Sequence, residues 1–429
     1  MNSQNLQNIP GPNTISQYKL QNGITVLSFS NHNSRSIYMV GIMKGGGVFD
    51  PKNKTGLAHF TASLLSRGTK DFTFTDFHNQ IESNGANLVF SCSSQHAWFR
   101  GKSLAEDVEL IFRLASDAIR NPSFKQEYVG RLRNQLLTGL SLRNQDTSEM
   151  ASILLDQNLF PNHPYGRPVD GYIDTIQPIT RSDIINFHQE HYSPEDMVIV
   201  VSGAIHDDHI RDLAEKYFSS WLGQTPQQKN PIPIPPPPDR SIRKHIFLDD
   251  KSQVDLLLGG FGPFRTSQDY TPVFIGNNIL GQFGLMGRIG KRVRSQSGLA
   301  YYATSSVSGW SDAGVWEFSA GVNPENTDKV IDLIRDEITR FIDSPVTDEE
   351  LENTQSHLIG RMPMALESNA GLANAILTMH RFDLGLDYFQ KYNRRVRSVT
   401  AEEILTASQV YLHPDRLVIT SAGPGEEIE

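Results

Sequence analysis

Two stretches of this chain repeat one another, and that repetition constrains the fold more than any other feature. Residues 180–203 read TRSDIINFHQEHYSPEDMVIVVSG and residues 400–423 read TAEEILTASQVYLHPDRLVITSAG, with threonine, proline and glycine recurring at identical offsets of 14 and 23 residues. Each copy opens on a threonine suited to cap a helix, continues as an amphipathic segment, turns at proline and ends in an apolar strand closed by glycine. A shared three-point spacing around helix, turn and strand points to an internal duplication. A second pair agrees: residues 77–88 and 289–301 both run helix, Ser/Gly break, strand. An aromatic strand, a glycine and an amphipathic helix follow each, with Trp98, Phe99 and Gly101 matched by Trp316, Phe318 and Gly321. Neighbouring strands with helices between them predict an α+β chain of two homologous halves, each a mainly antiparallel sheet with packed helices, not a doubly wound parallel sheet. Thr347 and Glu350 form a capping box that opens a long C-terminal helix.

Between the repeats, residues 224–240 read QTPQQKNPIPIPPPPDR, and six of the eight residues 231–238 are proline. Proline fixes φ and donates no backbone hydrogen bond, so this run is expected to be a polyproline spacer of roughly 25 Å at about 3.1 Å per residue. A Pro-rich ligand for an SH3-like partner is the competing reading, but the position between nearly equal halves favours a linker. The expected domains are 1–223 and 241–429, and 429 residues supply ample core for both. Hydrophobic content of 38% and charged content of 20% argue for a folded globular chain. A net charge of −9 offers no basic field to a nucleic-acid backbone, and the single cysteine, Cys92, excludes an internal disulfide and a cysteine-type zinc site. The first twenty residues carry neither a secretory nor a transit pattern, and no apolar run reaches the roughly 18 residues of a membrane span.

Residues 45–69, GGGVFDPKNKTGLAHFTASLLSRGT, carry the chemically telling sequence. The stretch resembles the opening of the pitrilysin/insulinase family of zinc metallopeptidases, which also contains mitochondrial processing peptidase. That family writes Gly-Leu-Ala-His-x-x-Glu-His on a helix; here the positions read Gly56, Leu57, Ala58, His59, Phe60, Thr61, Ala62, Ser63. The resemblance continues through His163-Pro164-Tyr165, the proline joint and residues 287–301, so it spans nearly the whole chain. Two histidines at i and i+4 share a helix face and bind zinc, while the intervening glutamate deprotonates the metal-bound water. Here the second histidine is Ser63, the glutamate is Ala62, and the family's third ligand, a glutamate on a later helix, falls at Gly139. One imidazole does not hold zinc, so no metal or other cofactor is expected in this chain, and His59 is read as a helix histidine satisfied by local hydrogen bonds.

Other candidates are weaker. His206 and His209 follow a strand as a turn and helix cap, and His188 and His191 lie three apart at a helix end. Gly45-Gly46-Gly47 lacks the lysine of a phosphate loop, and Cys92 has no basic neighbour to activate its thiol. Arg294 and Tyr301, in RVRSQSGLAY, flank a Ser-Gly break between helix end and strand start. A guanidinium and a phenol so held can both donate hydrogen bonds to a peptide carbonyl as it becomes tetrahedral. The bland alternative is a surface ion pair and a packed tyrosine. The resemblance favours the first reading, because the family carries an Arg/Tyr pair that acts across the chamber from the zinc.

The family's two-chain members divide the work, one subunit supplying the zinc ligands and base, the other the Arg/Tyr pair and part of the chamber. The resemblance therefore implies a clamshell subunit that is inactive alone and pairs with a homologous zinc-bearing chain to cleave peptides, with Arg294 and Tyr301 contributed in trans. Only residues 281–287 stand where the mitochondrial non-catalytic subunit has a long glycine-rich loop, which with the missing transit pattern favours a bacterial-type, cytoplasmic protein. Substrate is expected to add as a β-strand. Residues 87–95 hold the place of the family's edge strand, but Val89-Phe90-Ser91-Cys92 stands where the family writes Asn-Ala-x-Thr, so this half is not expected to keep a productive edge of its own. Two rival readings are a purely structural scaffold subunit, as in the core subunits of the cytochrome bc1 complex, and a stand-alone peptide-binding protein.

Overall fold

The computed structural model describes residues 9–223, 233–282 and 287–425. Residues 224–232 of the expected spacer and 283–286 of the glycine-bearing stretch lie outside the described residues; the rest of the spacer, 233–240, contains no helix or strand.

Eleven strands are described, and they form two sheets. The first contains β1 (Ser16–Lys19), β2 (Thr25–Ser30), β3 (Ser36–Met43), β4 (Asn87–Cys92), β5 (Ala97–Leu104) and β6 (Val198–Gly203), in the spatial order β1-β2-β6-β3-β5-β4. The second contains β7 (Ile242–Phe247), β8 (Val254–Phe261), β9 (Ala300–Gly309), β10 (Gly314–Val322) and β11 (Val418–Gly423), in the order β7-β11-β8-β10-β9. Deleting β1 makes the two orders superimposable, with β2, β6, β3, β5 and β4 answering to β7, β11, β8, β10 and β9. In both sheets one pair is parallel, β2 with β6 and β7 with β11, and the other pairs are antiparallel. The α+β duplication read from the repeats is thus the architecture of the chain.

The repeat's capping threonines behave as their sequence predicts. Thr180 with Asp183, and Thr400 with Glu403, each exchange side-chain and backbone hydrogen bonds at a helix start. Thr347 and Glu350 do the same, Thr347 N donating to Glu350 Oε2 at 2.9 Å and Glu350 N to Thr347 Oγ1 at 3.2 Å.

Two compact units result, and they are not contiguous in sequence. The first comprises Met1–Leu140, Pro168–Pro231 and Met362–Lys391; the second comprises Ser141–Arg167, Ile232–Arg361 and Tyr392–Glu429. The repeat halves and the compact units are therefore different divisions of the chain. The central strands supply the reason, because every residue of β6 and of β11 is buried, which requires cover on both sheet faces. In the first unit the second cover is the helix Asn369–Arg381, which packs on β6 and β3. In the second it is the helix Thr147–Leu159, which packs on β11 and β8. Polar pins fix both: Asn369 Nδ2 donates to Ser36 O at 2.8 Å, and Thr420 Oγ1 donates to Ala151 O at 2.8 Å.

Period-two burial sets the sheet faces. On β10, Trp316, Phe318, Ala320 and Val322 enter the core while Glu317 and Ser319 lie on the other face. On β5, Ala97, Phe99, Gly101 and Ser103 point in and Arg100, Lys102 and Leu104 point out.

Candidate functional site

The helix Leu57–Leu64, where the resemblance places the metal motif, is positioned by Asp50 and Gly56. Asp50 is buried and its carboxylate accepts from Gly56 N at 2.7 Å and Ala58 N at 2.8 Å, answering the free amides of the first turn. Gly56 sits at φ +97°, and a Cβ there would meet Ile176 Cδ1 at 2.5 Å, so both conformation and space demand glycine.

Along the helix, Leu57, Ala58, Phe60, Thr61, Ala62 and Leu64 are buried, leaving His59 and Ser63 on one half-open face. Burial pushes the His59 imidazole below its ordinary pKa and the charge of Asp170 pulls it partly back, so the ring is neutral at pH 7. Contrary to the expected local hydrogen bonds, the ring has no hydrogen-bond partner among the described residues; Ala58 and Phe60 flank it in the helix. Ala62 is core, 1% exposed. Gly139, in the helix Gln126–Arg143, is exposed, and a Cβ built there meets nothing within 4 Å. The donor set at the four family positions is thus one imidazole, a methyl, a hydroxyl and a hydrogen. Among the described residues no group of three or more His, Cys, Asp or Glu side chains converges as a metal cage requires. These residues do not fit zinc.

The nearby thiol and the paired histidines are also committed elsewhere. Burial first, then Asp50 and Asp170, push the Cys92 thiol far above its usual range, so it stays protonated. His188 lies with Nε2 2.7 Å from Ile119 O, and His191 stacks on Phe49 at 4.6 Å between ring centroids.

Arg294 and Tyr301 stand differently. The segment Gly290–Gln296 is a widened helical turn that ends at Gly298, where φ is +65° and the chain reverses into β9. Leu299 N donates back to Val293 O at 3.1 Å, closing that end. Three arginines come from this segment and its approach. Arg288 makes a two-pronged contact to Glu350 at 2.7 and 2.6 Å, and Arg292 binds Glu337 at 3.1 Å and Asp336 at 3.0 Å. Arg294 is exposed, and its guanidinium has no hydrogen bond or ion pair among the described residues. The surface ion pair of the bland reading is therefore absent among those residues.

Tyr301 owes its orientation to a register break. β9 is the edge of its sheet, and Tyr302 pairs with Gly321 while Ala300 pairs with Val322, so Tyr301 is the extra residue of a β-bulge. Its neighbour Tyr302 donates its hydroxyl to Asp255 Oδ1 at 2.5 Å. Tyr301 instead is 57% exposed, and its hydroxyl has no partner among the described residues. The arrangement presents a cation and a phenol, neither with a partner among the described residues, from two ends of one Ser-Gly turn, both able to donate to an incoming carbonyl oxygen. At the other unit's edge, β4 pairs with β5 alone among the described residues and leaves Val89 40% exposed, so the strand within residues 87–95 runs over Asn87–Cys92 at the edge of its sheet.

The sequence alone did not single out Asp50, six residues ahead of the glycine it caps, although an aspartate before Gly-Leu-Ala is a readable capping signal. Without the family resemblance nothing in the residues set Arg294 apart from Arg288 and Arg292, because the carboxylate partners of those two lie 44 to 62 residues away.

Residues 25–171 match the family model described as insulinase (peptidase family M16), and residues 178–358 match that described as peptidase M16 inactive domain. An uncharacterized zinc protease of Streptomyces coelicolor is 25% identical over 327 residues, 75% of this chain and 70% of that protein. One from Rickettsia bellii is 24% identical over 355 residues, 82% of this chain and 84% of that protein. Among solved structures, a peptidase M16 inactive domain from Pseudomonas fluorescens superposes with a TM-score of 0.89 at 25% identity, covering 97% of this chain and 99% of the other. A Helicobacter pylori protease shares the fold at 20% identity, with a TM-score of 0.88 over 97% of this chain and all of the other. Two adjacent family matches thus account for most of a duplicated α+β chain, and the chain belongs to peptidase family M16.

Proposed function

We propose that this chain is the zinc-less subunit of a heterodimeric metalloendopeptidase, inactive alone and assembled in the cytoplasm with a homologous zinc-bearing subunit. The partner supplies the metal and the base. This chain supplies half of the substrate chamber, with Arg294 and Tyr301 donating hydrogen bonds to the scissile carbonyl oxygen as charge builds on it. The observation that carries the reading is the contrast within one segment: Arg288 and Arg292 are spent on carboxylates, while Arg294 and the bulge residue Tyr301 are exposed and unpartnered among the described residues. That contrast is joined to a motif helix whose remaining donor is His59. Among the described residues no helix is long and apolar enough to cross a membrane, which is compatible with this placement.

Co-purification of the tagged chain from its native source tests the reading. A homologous chain with an intact His-x-x-Glu-His helix is expected in the complex, and cleavage of a fluorogenic peptide is expected from the complex but not from the isolated chain. A complex that cleaves nothing supports the scaffold reading, and peptide binding by the isolated chain without any partner supports the stand-alone one.

A further inference from the structure

A cavity of about 420 Å³ opens in the first unit, far in sequence from the motif helix and the Arg/Tyr turn, and two arginines line it. Arg120 ends the helix Val108–Arg120, and Arg181 is the first residue of the helix Arg181–His191. Both guanidiniums are held in place by neutral oxygens. Arg120 donates from Nη1 to Tyr217 O at 2.6 Å and from Nη2 to Ser220 Oγ at 3.1 Å. Arg181 donates from Nε to Phe124 O at 2.6 Å and from Nη2 to Ser123 O at 3.4 Å. A guanidinium carries five N–H donors, so each keeps free donors, and a carbonyl fixes its direction without neutralising its charge. Neither arginine forms an ion pair among the described residues. Asp117 acts on Arg120 through space only, with its Oδ1 taken by Asn121 Nδ2 at 3.0 Å. In a chain of net charge −9, two arginines with no ion pair among the described residues line one concavity.

The wall between them is strained. Phe124, whose carbonyl binds Arg181, sits at φ +41°, a region that strains a non-glycine residue. Its ring meets His188 edge-on at 5.4 Å between centroids. His188 also lines the cavity, and with Nε2 donating to Ile119 O its Nδ1 is left as a hydrogen-bond acceptor. Burial lowers the pKa of this ring to about 4, the hydrogen bond to Ile119 acting the other way, so it stays neutral at physiological pH.

We propose that this cavity binds a compact oxyanion of the phosphate class, gripped by the free N–H groups of Arg120 and Arg181, with His188 accepting from a protonated oxygen. Planar guanidinium forks match the spacing of phosphate oxygens, and the small polar cavity suits a tetrahedral ion or the head of a phosphate ester. The site is independent of the peptidase reading and holds whether or not a zinc-bearing partner exists.

Calorimetric titration of the purified full chain in phosphate-free, low-salt buffer tests it, with inorganic phosphate in one arm and a phosphoserine tripeptide in the other. One site per chain is expected. Loss of a charge-assisted fork should weaken binding about ten-fold or more in Arg181→Gln and in Arg120→Gln, since such bonds contribute roughly 1.5–3 kcal/mol. Arg181→Lys, which keeps the charge but loses the fork, should fall between. Arg181 is exposed, and a melting temperature of Arg181→Gln and Arg181→Lys equal to that of the native chain shows that the fold is kept even where Arg120→Gln loses it. Tighter binding of the tripeptide assigns the site to a phosphate carried on a chain, and equal or weaker binding assigns it to the free ion. Absence of binding in both arms, or undiminished binding by Arg181→Gln, overturns the proposal.

Discussion

Replacing Tyr301 by phenylalanine, and Arg294 by alanine, should separate stability from turnover. Tyr301→Phe deletes one hydroxyl that has no partner among the described residues on a side chain that is 57% exposed. Arg294→Ala likewise removes an exposed guanidinium with no hydrogen bond or ion pair among the described residues. Substitutions at such positions change folding stability by less than about 0.5 kcal/mol. Arg292→Ala is the internal control. It strips Glu337, whose side chain is 10% exposed, of its ion pair and leaves that carboxylate buried, which costs roughly 1–3 kcal/mol. In the proposed heterodimer the order should reverse. Losing an oxyanion donor lowers turnover by roughly ten- to a thousand-fold, about 1.4–4 kcal/mol of barrier. Thermal melts of the isolated chain measure the first quantity, and steady-state cleavage of a quenched fluorogenic peptide by the reconstituted pair measures the second. Wild-type turnover from both variants would refute the assignment, and so would a destabilised Tyr301→Phe chain, since that is the mark of a packed structural tyrosine.

Three further outcomes follow from the geometry. Asp50→Ala leaves two amides of the motif helix without their carboxylate, and urea unfolding should show a loss of roughly 2–3 kcal/mol. Asp156 is raised to a pKa of about 7 by burial and then by Glu317, so its folded value lies above the unfolded one. The native state therefore loses stability at this site as pH climbs from about 4 to 7, and Asp156→Asn should raise the melting temperature at pH 8 while leaving it unchanged at pH 3. On Glu350 burial acts upward, but the bonds from Arg288 and Thr347 outweigh it and hold the carboxyl at about 2. Its contribution is present above the unfolded pKa and fades as pH falls from about 4.5 toward 2, a loss that a melting series should find absent in Glu350→Gln.

Much of the fold was legible because the duplication repeats capping residues and strand-ending glycines at fixed spacing. Thr180, Thr400 and Thr347 cap by local hydrogen bonds that a sequence encodes within four residues. The exchange of the helices Thr147–Leu159 and Asn369–Arg381 between repeat halves was not legible. Nothing local distinguishes a helix that covers its own half's sheet from one that covers the other's; the demand arises from the two-sided burial of β6 and β11. At the site, the residue identities at positions 59, 62, 63 and 139 could be read directly, since donor chemistry belongs to the side chain. The freedom of Arg294 depends on where Glu350, Glu337 and Asp336 come to lie, and that of Tyr301 on a bulge opposite Val322, so both required the fold.

The central claim is that this chain completes an active site it does not itself contain. Mixing it in rising amounts with a fixed quantity of its purified zinc-bearing homologue, while following peptide cleavage and zinc content, tests that claim most directly. The account predicts no cleavage from this chain alone, a rise that saturates at one chain per zinc-bearing partner, one zinc per pair, and little or no rise with the Arg294→Ala, Tyr301→Phe double variant. Full activity from the homologue without this chain, or equal stimulation by the double variant, would contradict it.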